Sequence, residues 1–132
     1  MNRVLFSSRT GKWNTPKDCY DKLNQEFCFD FDPCPENPSF DGLSHVWGKR
    51  NFVNPPYYEI KKWMQKGYEE YAKGNLVVFL VPARTDTIWW HDIVMKYAKE
   101  IRFIKGRLKF GNATNSAPFP SCIIIFDKPF DK

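Results

Sequence analysis

The feature of this chain that most restricts its fold is a run of six consecutive apolar residues, Leu-Val-Val-Phe-Leu-Val, at positions 76–81. A strand with one face in water alternates apolar and polar residues, whereas a strand covered on both faces is apolar throughout. The run therefore predicts a central strand that is buried on both faces. Apolar residues recur at helical spacing in the preceding segment 60–71, and residues 85–99 also favour a helix.

Shorter segments complete the pattern of an α/β protein. Thr15-Pro16 predicts the start of a helix, with Thr15 as its N-cap and Pro16 at its first helical position. Further strands are predicted at residues 27–31, 51–53, 101–104 and 121–126. The order of helices and strands indicates a sheet of about five strands, mostly parallel, whose final pair is antiparallel.

Length and charge limit the class of protein. The 132 residues are predicted to form a single domain, in which the polar and basic residues 1–12 form a loose N-terminal arm. Lysine and arginine number 20 against 15 aspartate and glutamate residues, which gives a net charge of +5 and a pI near 9.0. This excess of positive charge favours a polyanionic partner.

The cysteines and histidines give no sign of a metal site. None of the four cysteines belongs to a C-x-x-C pair, and the two histidines, His45 and His91, are far apart in the sequence. We therefore predict no metal. With no signal peptide and no apolar stretch long enough to span a membrane, we expect a cytoplasmic chain with reduced cysteines and no membrane partner.

The tetrapeptide Asn54-Pro55-Pro56-Tyr57 stands between the predicted strand 51–53 and the following helix. Its residue types suit an exocyclic amine, which is a poor nucleophile because its lone pair is delocalised into the ring. When two acceptors form hydrogen bonds with the two N–H groups of the amine, its lone pair points out of the base plane. The Asn54 side-chain oxygen and the Pro55 carbonyl can be these two acceptors. Proline has no N–H to compete, and Tyr57 offers a π face for an extruded base. We call these four residues the clamp.

Two other points bear on the clamp. If the tetrapeptide does not bind an amine, Pro55-Pro56 is only the ordinary start of a loop after a strand. However, Asp32, Asn54 and Arg84 all follow predicted strands. Because the ligand of an α/β sheet lies at the carboxyl ends of its strands, these residues are expected to converge on one crevice.

The chain resembles the phage-type DNA N6-adenine methyltransferase (Dam) family, a compact branch of the class I S-adenosylmethionine-dependent enzymes. The resemblance lies in motifs that follow one another at residues 13–16, 29–34, 41–43 with Trp47, 54–57, 82–87, 106–110 and the closing strand to Phe126. It implies a reduced Rossmann-like sheet, S-adenosyl-L-methionine as cofactor, and methylation of the N6 amine of adenine in double-stranded DNA.

The resemblance also implies roles for individual residues. The catalytic residues would be Asn54, Pro55, Pro56 and Tyr57. The cofactor would be bound by Trp13, Thr15, Pro16, Asp32, Pro33, Cys34, Asp41 and Asn54. Of these, Thr15-Pro16 and Asp32-Pro33 would hold the methionine end, and Asp41, which could equally be a turn residue before Gly42, would meet the adenine. The DNA phosphates would be met by Arg84, Lys105, Arg107 and Lys109.

The chain departs from the class I pattern on the cofactor side. No glycine-rich loop follows the first predicted strand, where Asp32-Pro33-Cys34-Pro35 stands instead. The cofactor site is therefore expected to be reduced. A homodimer is one arrangement in which a second subunit would complete it.

Two other functions fit the same residues. An Asn-Pro-Pro-Tyr turn can equally hold an amine in RNA or the amide of a protein glutamine, with the same methyl donor. The chain could instead be a basic DNA-binding module that keeps a methyltransferase-like fold and has lost catalysis.

Overall fold

The helices and strands follow the chain in the order that the sequence predicts, with one strand missing. The computed structural model describes residues 13–111 and 115–128, so the predicted arm at residues 1–12 lies outside it. The elements are α1 (Lys17–Phe27), β1 (Arg50–Val53), α2 (Ile60–Ala72), β2 (Leu76–Pro82), α3, which joins a π-helical turn (Trp90–Val94) to a last α-helical turn (Met95–Tyr97), β3 (Glu100–Phe103) and β4 (Ser121–Phe126). A 3-10 turn (Tyr57–Glu59) precedes α2.

The four strands form one mixed sheet in the order β1, β2, β4, β3. β1 runs parallel to β2, with Arg50 opposite Leu76, and β4 runs antiparallel to both of its neighbours. β2 and β4 occupy the centre, and every residue of both strands is buried. The predictions of a central strand buried on both faces and of an antiparallel final pair are therefore confirmed.

The prediction of about five strands is wrong for the described residues. Residues 27–31 contribute only a single parallel bridge, between Phe31 and Asn51. Helix α1 extends into this segment, and Cys28 then adopts a left-handed conformation with a φ of 52°. Two successive backbone N–H groups beyond it both donate to the Arg50 carbonyl, so a regular ladder of hydrogen bonds does not begin.

The prediction of a mostly parallel sheet is also wrong. Only β1 and β2 pair in parallel, because β4 lies between β2 and β3 and runs against both. A parallel connection needs a crossover, usually a helix, whereas a loop joins β3 to β4. The last strand can therefore return antiparallel and pair with the central strand.

Two helices differ from their predicted bounds. Helix α1 begins at Lys17, and Pro16 rather than Thr15 holds the N-cap position. The prediction of Thr15 as N-cap is wrong, because its hydroxyl is used by Asn54, as described below. The helix predicted at 85–99 covers only residues 88–97, and the extended backbone of Ala98 ends it.

One edge of the sheet collects the segments that carry the predicted site. Since β1 and β2 are parallel neighbours, their carboxyl ends meet at this edge, and Asn54 and Arg84 follow there. β4 begins at the same edge, with Ser121 opposite Pro82. Among the residues described, no helix is long and apolar enough to cross a membrane, and no group of His, Cys, Asp and Glu side chains could hold a metal ion.

Gly67 tests the packing of α2 on the sheet. A Cβ atom at this position would lie 2.5 Å from the Phe79 ring, closer than two carbon atoms can approach. Alanine stabilises an exposed helix position by about 1 kcal/mol relative to glycine. Gly67→Ala is instead expected to lower the free energy of unfolding by about 1–3 kcal/mol in urea denaturation, because the buried site is overpacked. The exposed substitution Gln65→Ala is the control. Equal stability of Gly67→Ala and the wild type would contradict this packing.

Candidate active site

The Asn54 side chain joins the end of β1 to the segment before α1. Asn54 is 1% exposed, and its Nδ2 donates to the Thr15 hydroxyl at 2.9 Å and to the Trp13 backbone carbonyl. Both amide protons are thereby used, so the side chain has one fixed rotation and its acceptor atom, Oδ1, keeps one direction. We call this pair of hydrogen bonds the Asn54 tie.

Aromatic rings pack around Trp13, whose backbone carbonyl belongs to the Asn54 tie. The buried Trp13 ring lies 5.5 Å from the Phe110 ring and 5.6 Å from the Phe119 ring, measured between centroids. Both phenylalanines belong to the loop between β3 and β4. Two segments that are distant in the sequence therefore pack together beside Asn54.

Tyr57 is enclosed by the same rings. It is 5% exposed, and its ring lies nearly perpendicular to those of Phe119 and Phe110, at 5.4 Å and 6.4 Å. Its hydroxyl has no hydrogen-bond partner in the described part of the chain. Burial raises the pKa of this hydroxyl far above that of tyrosine in water, and the charge of Arg84 lowers it by less than burial raises it. Tyr57 therefore stays protonated at neutral pH.

A cavity of about 270 Å³, which we name the charged cavity, opens beside Thr15. Its lining is mostly polar or charged and consists of Asn14, Thr15, Lys17, Tyr20, Asp32, Cys34, Glu36 and Phe52. The Asn14 side chain donates to Glu36 at 2.8 Å. The Cys34 backbone N–H donates to Asp32 Oδ1 at 2.9 Å. Two carboxylates and one lysine thus line one small cavity.

A second cavity of about 310 Å³, the aromatic cavity, lies next to the first. Prolines and aromatic rings dominate its lining, which includes Pro33, Pro35, Pro38, Phe40, Asp41, Pro56, Tyr58 and Trp63. Asp41 Oδ1 accepts the Leu43 N–H at 3.0 Å, so Asp41 also forms a turn. The Nε1–H group of Trp63 is buried and has no hydrogen-bond partner within residues 13–111 and 115–128.

The two cavities share a wall. Cys34 and Glu36 line both of them, so together they form one two-part crevice. The residues predicted to bind the cofactor that line this crevice are Thr15, Asp32, Pro33, Cys34 and Asp41. From the clamp, Pro56 lines the aromatic cavity, and the crevice therefore reaches the clamp.

The other predicted residues lie away from the crevice wall. Trp13 and Asn54 form the tie beside Thr15. Pro16 caps α1. Pro55 is buried between Asn54 and Pro56. Some of the predicted residues therefore line the crevice, and the others lie behind its wall.

Several residues that line the crevice were not predicted from the sequence: Lys17, Tyr20, Glu36, Tyr58 and Trp63. Two of them could have been predicted, because each lies next to a motif: Lys17 follows Thr15-Pro16, and Tyr58 follows the clamp. Glu36 gave no signal because it lies in irregular loop structure. Trp63 gave none because its helical spacing is that of an ordinary core residue.

The four basic residues predicted to meet DNA are all exposed, and none lines the two-part crevice. Arg84 follows β2 at the edge of the sheet where Asn54 follows β1. The other three lie in the loop after β3: Lys105, Arg107 and Lys109. The Ala83 N–H donates to the Pro120 carbonyl at 2.9 Å, which joins the end of this loop to the segment that carries Arg84.

A larger groove, of about 620 Å³, lies between α2 and α3. Its lining includes none of the residues predicted to be catalytic, to bind the cofactor or to meet DNA. Lys61, Lys62 and Lys66 line it together with Glu69 and Asp92, so its charges largely compensate one another. Size alone therefore does not make it the functional site.

The structure is that of a small α/β protein with a two-part crevice beside the carboxyl end of β1. The family model described as DNA N-6-adenine-methyltransferase (Dam) matches residues 4–132, and the chain therefore belongs to this family. The resemblance inferred from the motifs is confirmed, and membership implies methylation of adenine N6 in DNA in general terms. No curated protein and no solved structure gives a significant match.

The Asn54 tie can be tested through Thr15. Thr15→Val keeps the shape of the side chain and removes the hydroxyl that accepts from Asn54. We expect the free energy of unfolding to fall by about 1–2 kcal/mol, because a buried amide proton loses its acceptor. Thr15→Ser, which retains the hydroxyl, should lose less. The tie would be contradicted by urea denaturation curves in which the valine and serine variants coincide.

Tyr57 predicts a loss of stability at alkaline pH. The pKa of the Tyr57 hydroxyl is raised in the folded state. The contribution of this hydroxyl to the free energy of unfolding is therefore fully present below about pH 10, and it is lost above that pH because the tyrosine ionises in the unfolded state. Wild type should lose up to about 1.4 kcal/mol per pH unit more than Tyr57→Phe above about pH 10. Urea denaturation at several alkaline pH values measures this, with Tyr58→Phe as the exposed control. Identical pH profiles for wild type and Tyr57→Phe would rule out a buried Tyr57 hydroxyl.

Proposed function

We propose that this protein transfers a methyl group from S-adenosyl-L-methionine to the N6 amine of adenine in double-stranded DNA. The observation that carries the proposal is the two-part crevice, which reaches the clamp at Pro56 and contacts the Asn54 tie through Thr15. A methyl donor in the crevice and an amine in the clamp would therefore be neighbours.

The residues of the crevice fit the two ends of this cofactor. The methionine end carries an ammonium and a carboxylate group, and the charged cavity offers Asp32 and Glu36 to the first and Lys17 to the second. The adenine end is a flat ring, and the prolines and aromatic rings that line the aromatic cavity can pack on it. Asp41 in the same lining can accept a hydrogen bond from the exocyclic amine of the adenine. When bound, the cofactor supplies an electrophilic methyl group.

The clamp would hold the target amine by its two protons. Asn54 Oδ1 and the Pro55 carbonyl are acceptors, and the Asn54 tie fixes the direction of the first. An amine held in this way would have its lone pair directed out of the base plane, so it could attack the methyl carbon without prior deprotonation. The bond from this carbon to the cofactor sulfur would break as the new N–C bond forms, S-adenosylhomocysteine would leave, and the methylated amine would release one proton to solvent. Positioning of the two reacting atoms would supply most of the rate enhancement.

The target base would stack on the Tyr57 ring. Because Tyr57 is 5% exposed and packs against Phe119 and Phe110, a base would reach its ring only after neighbouring side chains move. The apolar surroundings that enclose Tyr57 would then exclude water from the amine. Tyr57 would act by its ring, since burial keeps its hydroxyl protonated.

The basic residues near the clamp would bind the phosphates of DNA. Arg84, Lys105 and Arg107 are exposed, as is Lys109, and contacts to phosphates position a duplex without reading its sequence. Family membership favours adenine in DNA over an amine in RNA or a protein glutamine. The retention of acceptors and charged groups in the clamp and crevice favours an active enzyme over a binding module.

Methyl transfer tests the proposal. Purified protein would be incubated with methyl-labelled S-adenosylmethionine and unmodified DNA, and the labelled base would be identified. We expect N6-methyladenine, and a loss of at least about a hundredfold in rate for Asn54→Ala, because the amine loses a fixed acceptor. Circular dichroism should establish that this variant is folded. A wild type that leaves DNA unlabelled, or an Asn54→Ala variant of full activity, would overturn the proposal.

The phosphate contacts predict a change in salt dependence. Arg107→Ala is expected to weaken binding to DNA of any sequence and to reduce the slope of log affinity against log salt by about 1. Lys96→Ala, an exposed change near the end of α3, is the matched control and should keep the wild-type slope. If both variants showed the same slope, Arg107 would make no phosphate contact.

A further inference from the structure

Tyr57 and Tyr58 are consecutive residues of the turn Tyr57–Glu59, yet their environments differ. Tyr57 is 5% exposed and is enclosed by phenylalanine rings, whereas Tyr58 is 70% exposed. Tyr58 lines the aromatic cavity together with Pro56 and Trp63. One turn therefore directs one aromatic ring into the core beside the clamp and a second ring to the crevice.

The aromatic cavity has the chemistry of a site for a flat ring with polar edges. Proline and aromatic side chains form most of its wall, and such walls favour ring stacking. Asp41 provides an acceptor. The Trp63 ring forms part of the wall, while its Nε1–H is buried and does not open into the cavity. A purine in this cavity would stack on the rings of the wall and donate from its exocyclic amine to Asp41.

We propose that Tyr58 is a cofactor-positioning residue whose ring closes over the adenine of S-adenosyl-L-methionine in the aromatic cavity. This inference rests on the proposed function, from which it takes the identity of the ligand. Stacking would bury the exposed face of Tyr58. The adenine would then lie between this ring and the opposite wall, which Pro33 and Phe40 help to form.

The position of Tyr58 couples the two ligands of the site. Adenine held by Tyr58 also holds the turn that carries Tyr57, and this turn follows directly on Pro55 and Pro56 of the clamp. Binding of the cofactor would therefore reduce the motion of the groups that receive the target base. DNA should consequently bind more tightly when the cofactor site is filled.

Calorimetry with S-adenosylhomocysteine, which has the adenine and amino-acid ends but no methyl group to transfer, tests the role of Tyr58. Base–aromatic stacking predicts that Tyr58→Ala weakens binding by about tenfold, whereas Tyr58→Phe stays within about twofold of wild type. Tyr97→Ala removes a partly exposed tyrosine at the end of α3 and should bind as wild type does. DNA affinity, measured with and without S-adenosylhomocysteine, should rise on its addition in wild type and not in Tyr58→Ala.

The possible outcomes separate this inference from the proposed function. If wild type binds S-adenosylhomocysteine and Tyr58→Ala binds it equally well, Tyr58 does not contact the adenine and the inference is overturned, while the proposed function stands. A phenylalanine variant as weak as the alanine variant would also overturn stacking, because the ring is retained. If wild type itself binds no S-adenosylhomocysteine, the proposed function fails and the role of Tyr58 fails with it.

Discussion

The hydrogen bonds from the Asn54 amide to Thr15 and Trp13 hold the site together. They connect the end of β1, which carries the clamp, to the segment that lines the charged cavity. The Asn54 side chain is buried, so its two donor protons depend on these acceptors within the protein. Thr15 contacts Asn54 on one side and the cavity on the other, and the two halves of the site are therefore fixed relative to each other. The parallel pairing of β1 with β2 adds Arg84 to the same edge.

The crevice is built without a glycine-rich loop. Its wall is a segment with prolines at positions 33, 35 and 38, and each proline has its φ angle fixed by the ring. A glycine loop lets the backbone approach a ligand closely, whereas this segment presents side chains in a preset shape. A rigid wall loses little conformational entropy when a ligand binds.

Local patterns predicted what depends on local physics. The buried run at β2, the helix after the clamp and the strand β4 follow from apolar spacing. The rule that ligands lie at strand ends predicted one crevice for Asp32, Asn54 and Arg84. Asp32 lines the crevice and Asn54 contacts it through Thr15, whereas Arg84 does not line it. The insertion of β4 beside β2 could not be predicted, because pairing between distant segments leaves no periodic signal. The prediction of Thr15 as N-cap is wrong because a threonine before proline is typical of a helix start, and the sequence does not show that Asn54 donates to its hydroxyl. The enclosure of Tyr57 depends on Phe110 and Phe119 in the loop between β3 and β4. These residues are distant from the clamp in the sequence, so the clamp residues alone do not predict the enclosure.

An NMR titration of labelled protein with S-adenosylhomocysteine locates the cofactor site. If the cofactor binds in the two-part crevice, chemical-shift changes concentrate on the backbone amides of residues 14–17 and 32–42 and on the indole N–H of Trp63. Changes confined to the groove between α2 and α3, around Lys61 and Ile88, would contradict this location.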